Sequence, residues 1–242
     1  MKKKIIDNIK TLLYALIVAL VIRSFFFQPF YIPSSSMEPN LLIGDRIFVS
    51  KYTYGYSKHS FPFSPKITNK RFLAKEPILG DIIVFKTPSD NRTDYIKRLI
   101  GAPNDTVQFK DGEFYINDIK IDRRKIEYPK IINCGSIQIQ AQAYEEILPN
   151  GSKYIAVYNK KGTMLNSDKF IVPKDHYFFM GDNRDCSKDS RFLSSVGYVH
   201  LNNLVGKAQI IFFSTDRTKG NIFNILKWDD IIRFKRLLKK IQ

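Results

Sequence analysis

The sequence predicts a mainly β protein, in which an N-terminal transmembrane helix precedes an antiparallel β domain with a smaller inserted β subdomain. Three observations predict this class. Residues 12–22 form an uninterrupted apolar run near the start of the chain. Beyond Pro29 the sequence changes to short apolar runs separated by glycine and proline, which is typical of strands joined by turns. Between residues 29 and 214 no stretch keeps a helical period.

The first element is expected to be a membrane anchor. Lys2, Lys3 and Lys4 precede the apolar run. The run alone is short for a bilayer, which needs about 20 residues. A helix that begins near Ile5, with Arg23 reaching the lipid–water interface, is long enough. The positive charge at the start predicts that it stays in the cytoplasm and that the chain after Arg23 lies outside.

A cleaved signal peptide is the alternative for this segment, because it also joins a basic start to a short apolar run. Such a peptide needs small residues at its cleavage site, and the only nearby match is the serine run 34–36. Bulky residues at 25–27 and 30–32 separate that run from the apolar stretch. A retained single-pass anchor is therefore favoured.

The body after the anchor is expected to consist of strands. Nine short runs have the composition and the flanking turn residues of strands: 46–50, 81–85, 94–100, 106–109, 113–116, 154–158, 169–172, 176–180 and 207–213. Residues near 108–170 are more polar and irregular, which indicates an insertion. The predicted organisation is an anchor segment 1–27, a core domain in two parts, 28–107 and 171–215, an inserted subdomain 108–170, and a basic tail 216–242.

The tail has a helical pattern. Ile231, Phe234, Leu238 and Ile241 fall on one face of a helix, with basic residues around them. A basic amphipathic helix is suited to an anionic membrane surface, and it is equally suited to packing on its own domain. Both alternatives stay open at the level of the sequence.

Composition excludes several classes of function. The net charge is +16, but no nucleic-acid motif accompanies it, so a solvated basic surface or a nearby membrane is expected and nucleic acid is not. The three histidines are far apart and no metal-ligand spacing is present. Neither a metal nor a cofactor is expected. Cys134 and Cys186 make neither a disulfide framework nor a zinc site, and free thiols are favoured over a single bridge.

Three polar segments stand where a plain β domain would not need them. Residues 33–37 read Pro-Ser-Ser-Ser-Met and lie directly after the anchor. Residues 94–100 read Asp-Tyr-Ile-Lys-Arg-Leu-Ile, and alternation along a strand places Lys97 on one face with Tyr95 and Leu99. Residues 181–191 form a polar loop after an apolar strand, with Asp and Arg spaced to brace it by charge-assisted hydrogen bonds.

In this order, the three segments resemble the conserved boxes of bacterial type I signal peptidases. The likeness covers most of residues 23–216, and it departs from the family where Cys186 replaces Asn and Ser35 replaces Gly. It implies a signal-peptidase/repressor-type core with Ser36 as nucleophile and Lys97 as general base. Ser34 corresponds to the hydroxyl of the oxyanion hole and Ser187 to the serine that hydrogen-bonds the lysine. An ion pair between Asp189 and Arg191 corresponds to the brace of the loop.

The resemblance also implies the substrate and the location. It predicts a serine endopeptidase that removes signal peptides from secretory preproteins by cutting after small residues at −1 and −3. The enzyme would sit in the bacterial inner membrane, in contact with the lipid bilayer, with its catalytic domain on the periplasmic side. Shallow apolar pockets for the small residues are implied around Ile32, Met37, Leu41, Tyr95 and Ile96.

The proposed chemistry needs a neutral lysine. A serine hydroxyl is a weak nucleophile until a base removes its proton, and none of the three segments contains a histidine. From an ordinary pKa near 10.4, neutrality at pH 7 requires a depression of roughly 3 units, which burial among apolar groups provides. The alternatives are another Ser–Lys peptidase, such as a self-cleaving repressor, and a membrane-tethered β domain that binds envelope proteins without catalysis.

Overall fold

A computed structural model describes residues 2–65, 68, 70–127, 131–135, 137–159, 164–216, 218–220 and 227–242. The chain begins with helix α1, Lys2–Val21, which runs through a π-helical turn, Ile22–Phe26, into the first strand. The span 3–26 is long and apolar enough to cross a membrane, and none of the residues in its most apolar stretch is buried. This fits a membrane-anchored protein.

Sixteen short strands follow among the described residues, and the predicted mainly β class is confirmed. They are β1 Phe27–Tyr31, β2 Asp45–Ser50, β3 Ile82–Lys86, β4 Asp94–Gly101, β5 Thr106–Lys110, β6 Glu113–Ile116, β7 Ile119–Lys120, β8 Asp122–Ile126, β9 Ile131–Cys134, β10 Ile137–Ile147, β11 Lys153–Asn159, β12 Phe170–Ile171, β13 His176–Met180, β14 Val199–His200, β15 Leu204–Ser214 and β16 Lys239–Lys240. One helical turn, α2 Trp228–Ile231, and 3-10 turns at Lys58–Ser60, Arg184–Cys186, Leu201–Asn203 and Phe234–Arg236 complete the described elements.

The largest sheet has eight strands in the order β1-β2-β15-β3-β4-β13-β14, with β16 added beside β15. All of its pairings are antiparallel. Strand β13 pairs with β4 only from Arg98 onward. The first half of β4 is therefore paired on one side alone, with β3. That open edge begins three residues before Lys97.

Strands β5–β12 form two further four-stranded sheets. A common core joins the sheet of β5 to the large sheet, because Val107 and Phe109 pack with Ile100, Phe178 and Met180. The predicted boundaries at 108 and 170 fall inside β5 and β12 respectively. The division of the chain into core and insertion stays a prediction.

The prediction of an amphipathic helix in the tail is wrong for the described residues 227–242. This segment has two short turns and then adds β16 to the large sheet. Arg236 pairs with Asp45 (Nε–Oδ1 3.0 Å) and Arg233 donates to the Ile43 carbonyl at 2.8 Å. These side-chain contacts and the strand pairing outweigh the local helical preference, so the tail packs on its own domain. Residues 222–226 of the predicted helix lie outside the described residues.

Candidate active site

Ser36 lies in the loop between β1 and β2, and core residues on both sides hold this loop. Before it, Ile32 exchanges backbone hydrogen bonds with Gly44 and Asp45 at 3.0 and 2.9 Å. After it, the Met37 and Leu41 side chains are fully buried. Ser36 itself is 7% exposed. Because apolar anchors fix the loop at both ends, the hydroxyl has a defined position at the surface of the core.

Lys97 projects from β4 toward this loop. Its side chain is 3% exposed. The Nζ atom donates to Ser36 Oγ at 2.7 Å and to the Ile96 carbonyl at 3.0 Å. The structure thus joins two residues that are 61 positions apart in the sequence.

The surroundings of Lys97 destabilise its ammonium form, although that form still predominates at pH 7. Burial lowers its pKa from the ordinary 10.5 to about 8. Asp189 and Asp182 oppose this change, and Arg191 adds to it. With a pKa of about 8, roughly a tenth of the molecules hold a neutral amine at pH 7. Desolvation is the cause expected from the apolar residues around Lys97 in the sequence.

Ser34 lies beside the same hydroxyl, with the two Oγ atoms 3.3 Å apart. Among the described residues, the Ser36 N–H has no hydrogen-bond partner. The Ser34 hydroxyl and a backbone N–H without a described partner thus lie next to Ser36 Oγ.

The loop of residues 181–191 is braced as the spacing predicts. Arg191 forms two parallel hydrogen bonds to Asp189, each of 2.8 Å, and the Gly181 N–H donates to the same carboxylate at 2.9 Å. Both members of the ion pair are buried. A bidentate pair with a further donor holds the loop in one conformation.

Ser187 differs from the expectation. Its Oγ is buried, and the expected hydrogen bond to Lys97 is not formed. Ser187 helps to lower the pKa of the Asp189 carboxylate. The side chain packs instead against Gly181, where a Cβ would collide with Ser187 and with the Ser36 carbonyl. Glycine at 181 therefore lets the two loops approach each other.

The predicted pocket residues divide into two groups. Ile32, Met37 and Leu41 are buried members of one core cluster, and Ile96 packs on its edge. Tyr95 is half-buried and packs on a different cluster. Ile96 and Tyr95 keep exposed surface beside the open edge of β4, whereas the other three lie beneath it.

A second buried ion pair supports the site and was not predicted. Arg98 binds Asp182 through two hydrogen bonds of 2.7 and 2.8 Å, and Asn40 donates to the same carboxylate at 2.7 Å. This contact joins β4, the Ser36 loop and the loop of residues 181–191. Its sequence signal is Arg98 itself, because β4 is buried on both faces from Lys97 onward and a buried arginine needs an acid.

Two contacts connect the β9–β10 hairpin to this loop. Cys134 and Cys186 form a disulfide, which corrects the expectation of free thiols. The Asn183 side chain donates to the carbonyls of Asn133 and Ser35, at 3.0 and 3.1 Å. The sequence separation of 52 concealed the disulfide, since only the fold brings the hairpin to the loop. Within the described ranges, no group of three metal-ligating side chains is found.

Comparisons with known proteins identify the family of this chain. The family model described as "Signal peptidase, peptidase S26" matches residues 5–213. The signal peptidase I of Rickettsia typhi is 40% identical over 248 aligned positions, which cover 94% of this chain and 90% of the relative. That of Rickettsia prowazekii is 40% identical with the same coverage. A crystal structure of a signal peptidase I from Enterococcus faecalis aligns at 25% identity with a TM-score of 0.32, covering 55% of this chain and 97% of the other.

The family match spans most of the chain and includes all three polar segments. It therefore favours an enzyme over a tethered β domain that only binds. The chain belongs to the signal peptidase family, peptidase S26, and is a serine-type peptidase.

Proposed function

We propose that this chain is a membrane-bound endopeptidase that removes signal peptides from secretory preproteins with Ser36 as nucleophile and Lys97 as general base. The observation that carries the proposal is the 2.7 Å hydrogen bond between Lys97 Nζ and Ser36 Oγ in buried surroundings. A neutral amine at this distance takes the hydroxyl proton as Ser36 Oγ attacks the scissile carbonyl carbon.

The remaining steps follow from the same groups. The Ser36 N–H and the Ser34 hydroxyl donate to the oxyanion of the tetrahedral intermediate, each worth roughly 3 kcal/mol. Protonated Lys97 then gives its proton to the leaving amine, and an acyl group remains on Ser36. Neutral again, Lys97 takes a proton from a water molecule that attacks this ester, and Ser36 is regenerated.

Ser187 is proposed to orient the lysine once it is charged. An ammonium has three N–H donors, and Ser36 and the Ile96 carbonyl occupy two of them. A bond from the third donor to Ser187 Oγ fixes the direction of the amine.

Substrate binding is proposed at the open edge of β4. A preprotein segment added there as a strand forms backbone hydrogen bonds and points alternate side chains at the protein. Residues at −1 and −3 then face the same surface, where Ile96 lies above the buried Ile32, Met37 and Leu41. Because the core beneath this surface is filled, it has room only for small side chains at −1 and −3 of the preprotein. Cleavage after small residues is the expected specificity.

The anchor is proposed to cross the bacterial inner membrane once, with its start in the cytoplasm and the β domain on the periplasmic side. No residue in its most apolar stretch is buried by the rest of the protein. The basic residues Lys2, Lys3 and Lys4 precede it, as the distribution of charge across membranes requires. This arrangement keeps the open edge of β4 near the bilayer, where signal peptides end.

The test is cleavage of a secretory precursor by the detergent-solubilised full chain, with sequencing of the new N-terminus. Ser36→Ala and Lys97→Ala are each expected to abolish cleavage while the protein stays folded and membrane-bound. Ser35→Ala and Lys188→Ala are matched controls, because Ser35 is the adjacent serine and Lys188 an exposed lysine of the 181–191 loop. Near-wild-type cleavage by either Ser36→Ala or Lys97→Ala contradicts the dyad.

A further inference from the structure

A small polar cavity lies at the end of the anchor, away from the Ser36–Lys97 pair. It has a volume of about 110 Å³. Its polar lining comes from the anchor, from the loop after β2 and from the ends of three strands: Arg23, Gln28, His59, Ser64, Lys86 and Asp94. None of these residues has a role in the proposed cleavage chemistry.

The cavity is positively charged. Arg23 and Lys86 carry two positive charges, and Asp94 offsets one of them through an ion pair with Lys86 at 2.9 Å. Within the described part of the chain, the Arg23 guanidinium makes no hydrogen bond or ion pair. The buried Lys51 donates to the carbonyls of His59 and Ser60, each at 3.2 Å, and adds only part of a positive charge, because burial lowers its pKa to about 7. The surroundings therefore suit an anion.

His59 supplies an independent indication of a ligand. Its side chain lines the cavity and is 4% exposed, yet its Nε2 has no hydrogen-bond partner among the described residues. Ser64 Oγ lies 2.9 Å from Nδ1, so a hydroxyl that donates to Nδ1 leaves the ring proton on Nε2. Buried polar atoms of this kind are normally satisfied, here by an acceptor such as a phosphate oxygen.

An apolar groove shares the lining residue Arg23 with this cavity. It has a volume of about 750 Å³ and lies between the anchor residues Ala19 and Ile22 and the sheet residues Phe27, Phe48 and Ile210. Arg23 lines both spaces. A ligand that fits both carries an anionic group beside a long apolar chain. A signal peptide has an apolar run but a basic start and no anionic group, so its charge does not match.

We propose that the chain binds an anionic membrane phospholipid, with its phosphate between Arg23, Lys86 and His59 and one acyl chain in the apolar groove. The position agrees with this ligand. Arg23 closely follows the apolar run, where an arginine side chain reaches the headgroup layer. Lipid of the surrounding leaflet is thus present beside both the polar cavity and the apolar groove.

The test is native mass spectrometry of the full chain in a neutral detergent, titrated separately with phosphatidylglycerol, with phosphatidylcholine of the same acyl chains and with inorganic phosphate. One phosphatidylglycerol is expected to bind saturably and at least roughly tenfold more tightly than phosphatidylcholine. Arg23→Gln is expected to weaken it roughly tenfold, as loss of a charge-assisted hydrogen bond implies. Arg23 is exposed, so the variant is not expected to unfold.

Lys58→Gln is the matched control, because it removes the same charge beside His59 but does not line the cavity. Its affinity is expected to stay within about twofold of wild type. Ser36→Ala is expected to bind the lipid unchanged, which separates this proposal from the catalytic one. Equal binding of the two lipids, equal effects of Arg23→Gln and Lys58→Gln, or Arg23-dependent binding of inorganic phosphate alone overturns the proposal.

Discussion

The pH dependence of cleavage follows from the pKa of Lys97. If the neutral amine is the base, kcat/KM rises with pH and reaches half its maximum at about 8. Between pH 6 and 7 the rate constant then rises about tenfold, and between pH 9 and 10 it is nearly constant. An unperturbed lysine with a pKa of 10.5 would still give about an eightfold rise between pH 9 and 10.

The free energy of unfolding also depends on the pKa of Lys97. The pKa of Lys97 is lower in the folded chain, so the unfolded chain binds more protons and folding is penalised at low pH. The penalty is complete below about pH 8 and disappears as the pH approaches 10.5. The depression corresponds to about 3 kcal/mol. Relative to a Lys97→Met variant, the wild-type protein is therefore expected to gain about 2.5 kcal/mol between pH 7 and pH 10.

Two assays check this pair of expectations. Initial rates of precursor cleavage at limiting substrate give kcat/KM across the pH range, and urea unfolding followed by circular dichroism gives the free energy of unfolding of both proteins. A rate that climbs steadily to pH 10, together with a stability difference that does not change with pH, would show that Lys97 titrates as an ordinary lysine. Desolvation would then not lower the pKa of Lys97 enough to supply a neutral amine as the base.

Three further outcomes are expected. Asp182→Asn leaves the buried Arg98 without its carboxylate and should lower the free energy of unfolding by about 3 kcal/mol in urea melts; a loss below about 1 kcal/mol contradicts the role of this pair. Ser34→Ala should lower kcat by roughly 10²-fold with little change in KM, because its hydroxyl acts in the transition state; an effect on KM alone refutes this. Replacing both Cys134 and Cys186 with serine should lower the free energy of unfolding by about 4 kcal/mol, which is the loop-entropy value for a separation of 52 residues. Equal urea melts of the wild-type and substituted proteins would exclude this contribution.

The sequence predicts best the strands whose own residues form an apolar run bounded by turn residues. The run 176–180 coincides with β13, and 94–100 differs from β4 by one residue. Strands β8 and β10 were missed because Asp122–Ile126 is charged on both faces and Ile137–Ile147 is rich in glutamine. Their pairing with each other stabilises them, and that contact is invisible in either segment alone.

The candidate site shows the same limit. The segments around Ser36 and Lys97 were found because their residue types and order resemble a known family, and the structure brings the two side chains together. The Arg98–Asp182 pair joins residues 84 positions apart and depends on how the large sheet curls. The bond expected between Ser187 and Lys97 depends on a side-chain rotamer, which no sequence pattern specifies.

The disulfide that joins the β9–β10 hairpin to the 181–191 loop couples completion of the fold to export of the β domain. Thiols stay reduced in the cytosol and pair in the periplasm. On the proposed topology, a newly made copy is therefore unfinished until its β domain has been exported. Alkylation of cells before lysis would label undelivered copies at two positions and leave delivered copies unlabelled, so the mass of each copy records the side of the membrane that it reached.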